Sequence, residues 1–324
     1  MFCIYEGDGA FQADDDHKII YGGLVYLYND AFVEVTAPCK GNDHAIGTII
    51  NTGQANSFRN GSNHDTNSEA LVRVKVWVAG DLPSPDFQSD WVQIDTQKND
   101  EVFKEIAHNV GKYPALVNVQ IKSKASNTFM VSEGVGSGVS EHMREYENTG
   151  GIVWAYNDQI VRIWAGYETM DRYQYGIFGL IDGWHNILHG VNILKGEARV
   201  IAWSQENLKC RSYSIRHQKE WTFTLSDWDT FKPIDMDHDI VQLYVEALDG
   251  PNLGFRFPGY GSSQAKTTPF GGLVFAYNQH GAFRTWLPNP ENGGFLVFVK
   301  EPYGNGSYVQ ASNNAQAVAI LVKG

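Results

Sequence analysis

One phrase occurs three times in this chain: GGLVYLYND at residues 22–30, GGIVWAYND at 150–158 and GGLVFAYNQ at 271–279. The three occurrences begin 128 and 121 residues apart. These intervals have the length of a domain and are well above the roughly 20–50 residues of a solenoid repeat. The phrase therefore predicts a tandem array of one domain.

The similarity between the copies extends on both sides of the phrase. Upstream, FCIYEGDG at 2–9 matches FMVSEGVG at 129–136, and FRFPGYG at 255–261 fills the same place in the third copy more loosely. Downstream, LVRVKVW at 71–77 matches EARVIAW at 197–203. The repeated unit therefore includes strands before and after the Gly-Gly phrase.

The alignment predicts three segments: a partial copy at 1–86 (segment one) and two full copies at 87–211 (segment two) and 212–324 (segment three). Segment one has no counterpart of the strands predicted at 91–94 and 115–121 of segment two. Without them a sandwich has open edges that attract other strands. Two explanations stay open: the chain is a piece of a longer array, or a neighbouring molecule donates the missing strands.

Each copy has the pattern of short β-strands. The Gly-Gly phrase is followed by a polar turn and then by an alternating stretch, FVEVT at 32–36, IVRIW at 160–164 and AFRTW at 282–286. About seven short strands in roughly 120 residues, without a long helical period, favour an antiparallel β-sandwich. The predicted fold class is all-β, with tandem antiparallel β-sandwich repeats of about 120–128 residues and an incomplete first copy.

Two details of the repeated hairpin are expected from its residue types. The turn after each phrase contains Asn29, Asn157 or Asn278, and asparagine tolerates the positive φ of tight hairpins. The strand that follows Gly-Gly is apolar on both faces, which is typical of a central strand in a covered sheet.

Composition narrows the classes of function. The formal net charge is −12, so we expect no nucleic-acid binding and no binding to anionic membranes, because both require basic patches. No apolar run approaches the roughly 20 residues that span a bilayer, and we expect no membrane insertion. The first residues also lack the basic start and apolar core of a signal peptide.

Two N-glycosylation sequons, Asn60-Gly-Ser62 and Asn305-Gly-Ser307, occupy equivalent places in segments one and three. Segment two keeps Asn186 there, but no hydroxyl residue follows it. A sequon is used only in a secreted chain. Their placement predicts N-glycans at Asn60 and Asn305 and an extracellular location. The alternative is chance, since sequons are common in asparagine-rich loops.

The pairs Arg162-Ile163-Trp164 and Arg284-Thr285-Trp286 each place a guanidinium and an indole on one face of a strand. Such a pair can stack against a sugar or a partner protein, so Arg162, Trp164, Arg284 and Trp286 are candidates for a ligand or partner surface. Segment one has Glu34-Val35-Thr36 instead. The alternative is packing of each pair against a neighbouring strand or repeat.

Asp235, Asp237 and Asp239 have the 1-3-5 spacing of calcium ligands. An EF-hand is excluded, because Ile240 stands where its loop requires glycine and no glutamate occupies position twelve. A calcium loop of another kind stays a candidate, and a solvated turn is the alternative. No cofactor and no other metal site are predicted.

The three cysteines form neither a disulfide framework nor a metal-binding spacing. Cys3 and Cys39 fall in the same copy and are a candidate disulfide. The alternative is that all three, including Cys210, are idle thiols. Because the number of cysteines is odd, at least one of them is unpaired within the chain.

No pattern in the sequence specifies a reaction. The chain has no Gly-x-Ser-x-Gly elbow, phosphate-binding glycine loop or Cys-His pairing with a family spacing, and the copies share an apolar framework but no common polar set. We therefore expect a non-enzymatic, secreted glycoprotein with a structural or adhesive role, whose partner is itself, as a filament-forming homopolymer or a longer array. A lectin-like protein that binds glycans is the alternative, and a glycan-active enzyme with paired carboxylates is a third.

Overall fold

The computed structural model describes residues 13–15, 18–37, 45–51, 58–59, 66–78, 80–125, 128–134, 147–167, 173–180, 191–208, 234–259, 270–280, 283–300 and 303–323. In this part of the chain the regular structure consists of β-strands and two 3-10 turns, at Gly250–Asn252 and Pro290–Asn292, with no α-helix. The prediction of an all-β fold is confirmed. The same residues contain no helix long and apolar enough to cross a membrane.

The strands are numbered in chain order. Segment one contains β1 (Ala13–Asp15), β2 (Lys18–Gly22), β3 (Val25–Tyr28), β4 (Val33–Thr36), β5 (Ala45–Thr48), β6 (Ile50–Asn51), β7 (Phe58–Arg59) and β8 (Thr66–Asn67). Segment two contains β9 (Phe87–Gln88), β10 (Val92–Asp95), β11 (Phe103–Ala107), β12 (Leu116–Ala125), β13 (Thr128–Glu133), β14 (Glu147–Gly150), β15 (Ile152–Tyr156), β16 (Ile160–Ala165), β17 (Tyr173–Gly176), β18 (Phe178–Leu180), β19 (Val191–Ile193) and β20 (Lys195–Trp203). Segment three contains β21 (Ile240–Ala247), β22 (Arg256–Pro258), β23 (Phe270–Gly271), β24 (Val274–Tyr277), β25 (Phe283–Pro288), β26 (Gly294–Phe295), β27 (Val297–Val299), β28 (Gln310–Ser312) and β29 (Ala315–Val322).

Two large antiparallel sheets cross the boundaries between segments. Sheet one has the strand order β10-β20-β12-β13-β3-β4, with β9 paired to β20, and sheet two has the order β11-β16-β15-β22-β21-β29. In sheet one the hairpin β3–β4 of segment one lies beside strands of segment two. In sheet two the hairpin β15–β16 of segment two lies beside strands of segment three. Each hairpin thus extends the sheet of the segment that follows it.

The pairing register recurs between the two sheets. β12 pairs with β20 from Leu116↔Trp203 to Ser123↔Gly196. β21 pairs with β29 from Ile240↔Val322 to Ala247↔Ala315, again over eight residue pairs. On its other side each long strand pairs with a short one, β13 or β22. The same arrangement of strands therefore occurs twice, shifted by one segment.

The second glycine of each Gly-Gly phrase has a backbone conformation that favours glycine. The φ angles of Gly23, Gly151 and Gly272 are 106°, 108° and 99°, where a side chain is strained. Each of the three donates its N–H to a main-chain carbonyl that follows the hairpin. Beside each phrase lies a short parallel pair, β2–β5, β14–β17 or β23–β26. The positive φ of the second glycine therefore lets the chain pass from the short parallel pair into the hairpin.

The asparagine that ends each phrase forms the hairpin turn with its side chain. The Oδ1 atoms accept main-chain N–H groups two or three residues ahead: Asn29 from Ala31 and Phe32, Asn157 from Gln159 and Ile160, and Asn278 from His280. None of the three has a positive φ. The expected use of positive φ is thus wrong for these turns, because the side chain itself accepts the turn's N–H groups.

Sheet two is buried on both faces. Along β15, Ile152, Trp154 and Tyr156 belong to an apolar cluster that also contains residues of β12 and β20. Val153 and Ala155 belong to a second cluster with residues of β24 and β25. β29 divides between the two clusters in the same way. One face of sheet two therefore packs against residues of sheet one, and the other face packs against residues of the hairpin β24–β25.

Candidate functional site

The candidate functional site is the junction where one segment extends the sheet of the next. Tyr28 pairs with Val131 and so joins β3 to β13, and Tyr156 pairs with Arg256 and so joins β15 to β22. Both tyrosines are the last residue of the strand that follows Gly-Gly. The two tyrosines are therefore equivalent in sequence. Their partners Val131 and Arg256 lie opposite Lys122 and Glu246, which occupy the same step of the two long ladders.

A buried ion pair lies beside the second junction. Arg256 on β22 is opposite Glu246 on β21, with Nε and Oε2 2.9 Å apart and both side chains 8% exposed. Gln316, opposite Glu246 on β29, donates its Nε2 to Oε1 at 2.8 Å. Both oxygens of the buried carboxylate thus accept a hydrogen bond. These bonds offset the cost of burying its charge.

Aromatic residues of segment two cover this ion pair. The guanidinium carbon of Arg256 lies 3.9 Å from the centre of the Tyr113 ring, and the Tyr113 hydroxyl donates to the carbonyl of Gly254 at 2.6 Å. Tyr156 contacts Tyr113 and Tyr244 edge to face, with ring centres 6.4 and 5.3 Å apart. Burial raises the pKa of Tyr156 to about 12, so its phenol is neutral. Segment two therefore shields the charges of segment three from water.

Sheet one carries a half-buried polar network at the corresponding position of its β12–β20 ladder. Lys122 and Glu197 pair across β12 and β20 at the step where Glu246 and Gln316 pair in sheet two. Lys122 Nζ lies 3.0 Å from Glu197 Oε2. Lys122 Nζ and Arg199 Cζ also lie 5.3 and 4.5 Å from the centre of the Trp91 ring. This face of sheet one is thus polar and partly exposed, whereas aromatic residues of segment two cover the equivalent face of sheet two.

The network of sheet one continues to the first junction. Arg199 donates to Gln120 at 2.7 Å, Gln120 to the Tyr28 hydroxyl at 2.7 Å, and Tyr28 to Glu133 at 3.2 Å. Burial is the main cause that raises the pKa of Glu133 to about 7, although hydrogen bonds from Asn118 and Tyr28 oppose it. Side chains as well as main chain therefore hold the hairpin of segment one to segment two.

Arg162, predicted as a surface residue for a ligand, is buried between segments two and three. Its contacts are Glu105 Oε1 at 2.9 Å, the Pro251 carbonyl and Asn252 Oδ1 both at 2.8 Å, and the ring centres of Tyr308 and Phe255 at 3.4 and 4.1 Å. The guanidinium thus donates hydrogen bonds from Nε and Nη1 and has two aromatic rings near it. Arg162 joins strand β16 to the 3-10 turn Gly250–Asn252 of segment three.

The two tryptophans of the predicted ligand surface are in the interior. Trp164 is fully buried, donates its Nε1 to the Ser307 carbonyl at 3.0 Å and stacks on Phe257. Trp286 is also fully buried, and Arg284 belongs to β25. The positions of Arg162, Trp164 and Trp286 correspond to the alternative of packing against neighbouring strands.

The sequon of segment three is accessible. Asn305 is exposed, and its Oδ1 accepts the N–H of Ser307 at 3.2 Å, which closes a tight turn. The carbonyl of Ser307 holds the buried Trp164, so one end of the turn is anchored to the core. Asn60 lies outside the described residues.

The three candidate calcium ligands each contact a different basic side chain. The partners are His238 for Asp235, Arg73 for Asp237 and Lys323 for Asp239. Within the described ranges, no group of three or more His, Cys, Asp or Glu residues could hold a metal ion. Cys3 and Cys39, the candidate disulfide, lie outside the described residues.

Leu71–Val78 contains the stretch 71–77 expected to form a strand after the hairpin of segment one, but it has no strand partner among the described residues. Leu71 is 101% exposed and Trp77 41% exposed, and Val72, Val74 and Val76 are exposed as well. Their counterparts 126 residues later, Ala198, Val200 and Ala202 on β20, are fully buried. Arg73 and Lys75 bind the Asp237 carboxylate and the Asp239 carbonyl of segment three. The segment thus exposes side chains whose counterparts in segment two are buried in the core.

Sequence reasoning missed the residues of both junctions. Glu246 and Arg256 are single charges within apolar strands, LYVEA and FRFP, and that is the one signal that could have drawn attention to them. Their partnership depends on the register between β21 and β22, which the sequence pattern does not specify. Tyr113 comes from another segment and has no signal of its own.

Comparison of the chain with protein-family models, curated proteins and solved structures gives no match.

Proposed function

We propose that this chain is a non-enzymatic structural or adhesive protein of tandem β-sandwich repeats, in which each repeat is completed by its neighbour. The observation that carries the proposal is the sharing of hairpins, β3–β4 with β13 and β15–β16 with β22. A repeat that lends two strands to the next one behaves as a building unit and not as an independent binding module.

The recurrence of local geometry supports the tandem repeat. The eight-pair ladders of β12–β20 and β21–β29 match step for step, and the φ angles of Gly23, Gly151 and Gly272 agree within ten degrees. The two apolar clusters on opposite faces of sheet two support stacked sandwich layers.

An extracellular location and glycosylation are parts of the same proposal. The exposed turn at Asn305 supports it, because a glycan at this position does not compete with the buried Trp164 side chain. The proposed partner is a further copy of the chain or of its repeat, since the hairpin junction already joins one repeat to another.

The test is the state of association of the glycosylated full chain. We expect oligomers or fibres whose abundance rises with concentration in light scattering and negative-stain microscopy, together with an absence of binding on a glycan array. A chain that stays monomeric at every concentration and does not adhere to surfaces would contradict the structural role.

A lectin-like function is the second candidate, and the partly buried Trp91 with Lys122 and Arg199 near its ring favours it. An indole flanked by hydrogen-bond donors is a suitable platform for a sugar ring. Glycan-array binding that is lost in Trp91→Ala and kept in Trp77→Ala would select this function over the structural one.

A further inference from the structure

His108 is a buried titratable side chain directly after β11, and it is only 2% exposed. Its main-chain N–H donates to the carbonyl of Gln159 at 2.9 Å, in the turn of the β15–β16 hairpin. Its ring lies edge to face against Phe87 of β9, with ring centres 6.4 Å apart. The ring is therefore enclosed next to the hairpin that segment two shares with segment three.

Both ring nitrogens of His108 contact main-chain groups. Nε2 lies 3.1 Å from the carbonyl oxygen of Asn157, and Nδ1 lies 3.2 Å from the main-chain nitrogen of Val110. A carbonyl only accepts and a main-chain N–H only donates, so Nε2 carries the proton and Nδ1 offers a lone pair. A second proton on Nδ1 would set two N–H donors against each other. The observed contacts therefore require the neutral ring.

The surroundings of the ring also oppose its protonation. Burial has the largest effect and lowers the pKa of His108 below its ordinary value of 6.5. The carbonyl of Asn157 and the carboxylate of Asp158, both in the hairpin turn, act against this effect. Three other charged residues on the elements around the ring have partners away from it: Asp86, Glu105 and Lys112. The folded chain therefore takes up a proton at His108 less readily than the unfolded chain does.

The loop that follows His108 carries the aromatic cover of the ion pair in segment three. Asn109 turns the chain with a φ of 52°, and Tyr113 lies four residues further on. The Tyr113 hydroxyl donates to the Gly254 carbonyl at 2.6 Å, and its ring lies 3.9 Å from the guanidinium carbon of Arg256. Val110, the partner of Nδ1, lies between the histidine and the tyrosine. Loss of the Nδ1 contact therefore frees the start of this loop.

We propose that protonation of His108 weakens the packing of segment two against segment three, so that acid opens this contact between repeats. Once protonated, Nδ1 no longer accepts the N–H of Val110, the loop moves and Tyr113 leaves Arg256. A histidine whose folded pKa is lowered contributes stability that is present above its unfolded pKa and is lost as the pH falls below it. The contact should therefore weaken below about pH 6.5. The inference rests on the proposed repeat architecture and adds a condition that loosens one contact within it.

Hydrogen–deuterium exchange of the full chain between pH 7.5 and pH 5, corrected for the intrinsic effect of pH, tests the proposal. We expect the main-chain amides of residues 110–113 and 254–257 to lose protection as the pH falls. The loss at pH 5 should reach at most about thirtyfold, the limit for an imidazole with a pKa of 6.5 in the open state and no proton in the closed state. Glu133 cannot cause this loss, because its protonation stabilises the folded chain.

Two variants separate His108 from the other histidines. In His108→Gln the side-chain amide keeps a donor for the Asn157 carbonyl but does not titrate, so protection should be independent of pH. The matched control is His238→Gln, which removes an exposed histidine paired with Asp235 and should respond to acid as the wild type does.

Protection of the two ranges that does not change with pH in the wild type would overturn the proposal. The same acid response in His108→Gln as in the wild type would also overturn it. If His108→Gln does not fold, a nuclear magnetic resonance titration of the wild-type ring replaces it. A ring that takes up its proton at or above pH 6.5, with Tyr113 still protected, would then refute the proposal. None of these outcomes bears on the association of the chain, which tests the proposed function separately.

Discussion

Arg256 and Glu246 form an ion pair in the interior of sheet two, with Nε and Oε2 2.9 Å apart. Their cover is Tyr113, which belongs to a different segment of the chain. A buried ion pair is not by itself stabilising, but each charge offsets the free-energy cost of burying the other. The ion pair therefore forms and is covered only when β21 and β22 pair in the observed register and segment two packs against them.

Replacing Arg256 by Met should lower the free energy of unfolding by about 3–5 kcal/mol, because Glu246 would stay buried without its cation. Chemical denaturation of the full chain measures this change. Lys112→Ala removes an exposed ion pair with Glu206 and, as the control, should cost less than about 1 kcal/mol. An Arg256→Met variant as stable as the Lys112→Ala variant would contradict the role assigned to the pair.

Stability should depend on the ionisation of Glu133. Burial raises its pKa in the folded protein from 4.5 to about 7, so the folded state holds the proton more tightly than the unfolded chain does. Stability is then highest when Glu133 is protonated and is lost as the pH rises from about 4.5 to about 7. Relative to Glu133→Gln, the wild type should lose up to about 3 kcal/mol between pH 5 and pH 8. Parallel pH profiles of the two proteins would refute this.

The buried position of Trp164 predicts a structural cost when the ring is removed. Trp164→Ala should destabilise the chain by about 3–5 kcal/mol, because it leaves a cavity and an unpaired Ser307 carbonyl. Trp77→Ala, at an exposed tryptophan, should change stability by less than about 1 kcal/mol. Thermal and chemical denaturation compare the two. Equal costs would show that Trp164 is not in the core.

The conformation of Gly151 predicts that alanine is poorly tolerated there. A φ of 108° is strained for any residue with a Cβ atom, and Gly151→Ala should cost about 1–3 kcal/mol. The same change at Gly23 or Gly272 should have a similar sign, because their φ angles are similar. A Gly151→Ala variant with wild-type stability would show that the hairpin entry does not need this conformation.

Glycosylation at Asn305 is expected in material from a secreting eukaryotic cell. The residue is exposed in a turn, so an oligosaccharide attached to it does not clash with the core. Peptide mass spectrometry should find the glycan at Asn305 and at Asn60 and none at Asn186. Unmodified peptides at both sequons would remove the main support for secretion.

The sequence predicted those features that depend on local chemistry. The repeated phrase located three hairpins, and the alternation of apolar and polar residues located their strands. Both follow from interactions within a few residues, such as the side chain of Asn157 accepting the N–H groups of its own turn. The all-β fold is confirmed for the same reason, since strand patterns do not depend on which strands pair.

The sequence could not predict which segment a strand would join. Alternation assigns Tyr156 to one face of β15. It does not specify which strand pairs with β15 at this edge, and the residue opposite Tyr156 is Arg256 on β22 of segment three. Arg162 shows the same limit, because an arginine on a strand face has the same pattern whether it contacts solvent or the rings of Tyr308 and Phe255. Partners far apart in sequence are set by the packing of whole layers.

The sharing of hairpins between segments is the central claim, and a disulfide between Tyr28→Cys and Val131→Cys tests it most directly. Directly opposite residues of antiparallel strands have Cα atoms about 4.5–5.5 Å apart, within the range of a disulfide. The measurement is peptide mapping under oxidising conditions, in a chain whose Cys3, Cys39 and Cys210 are replaced by serine. Tyr26→Cys with Val35→Cys, a pair within one hairpin, is the positive control. We expect a disulfide within one chain in both variants. A disulfide in the control without one between positions 28 and 131 would contradict the sharing of hairpins.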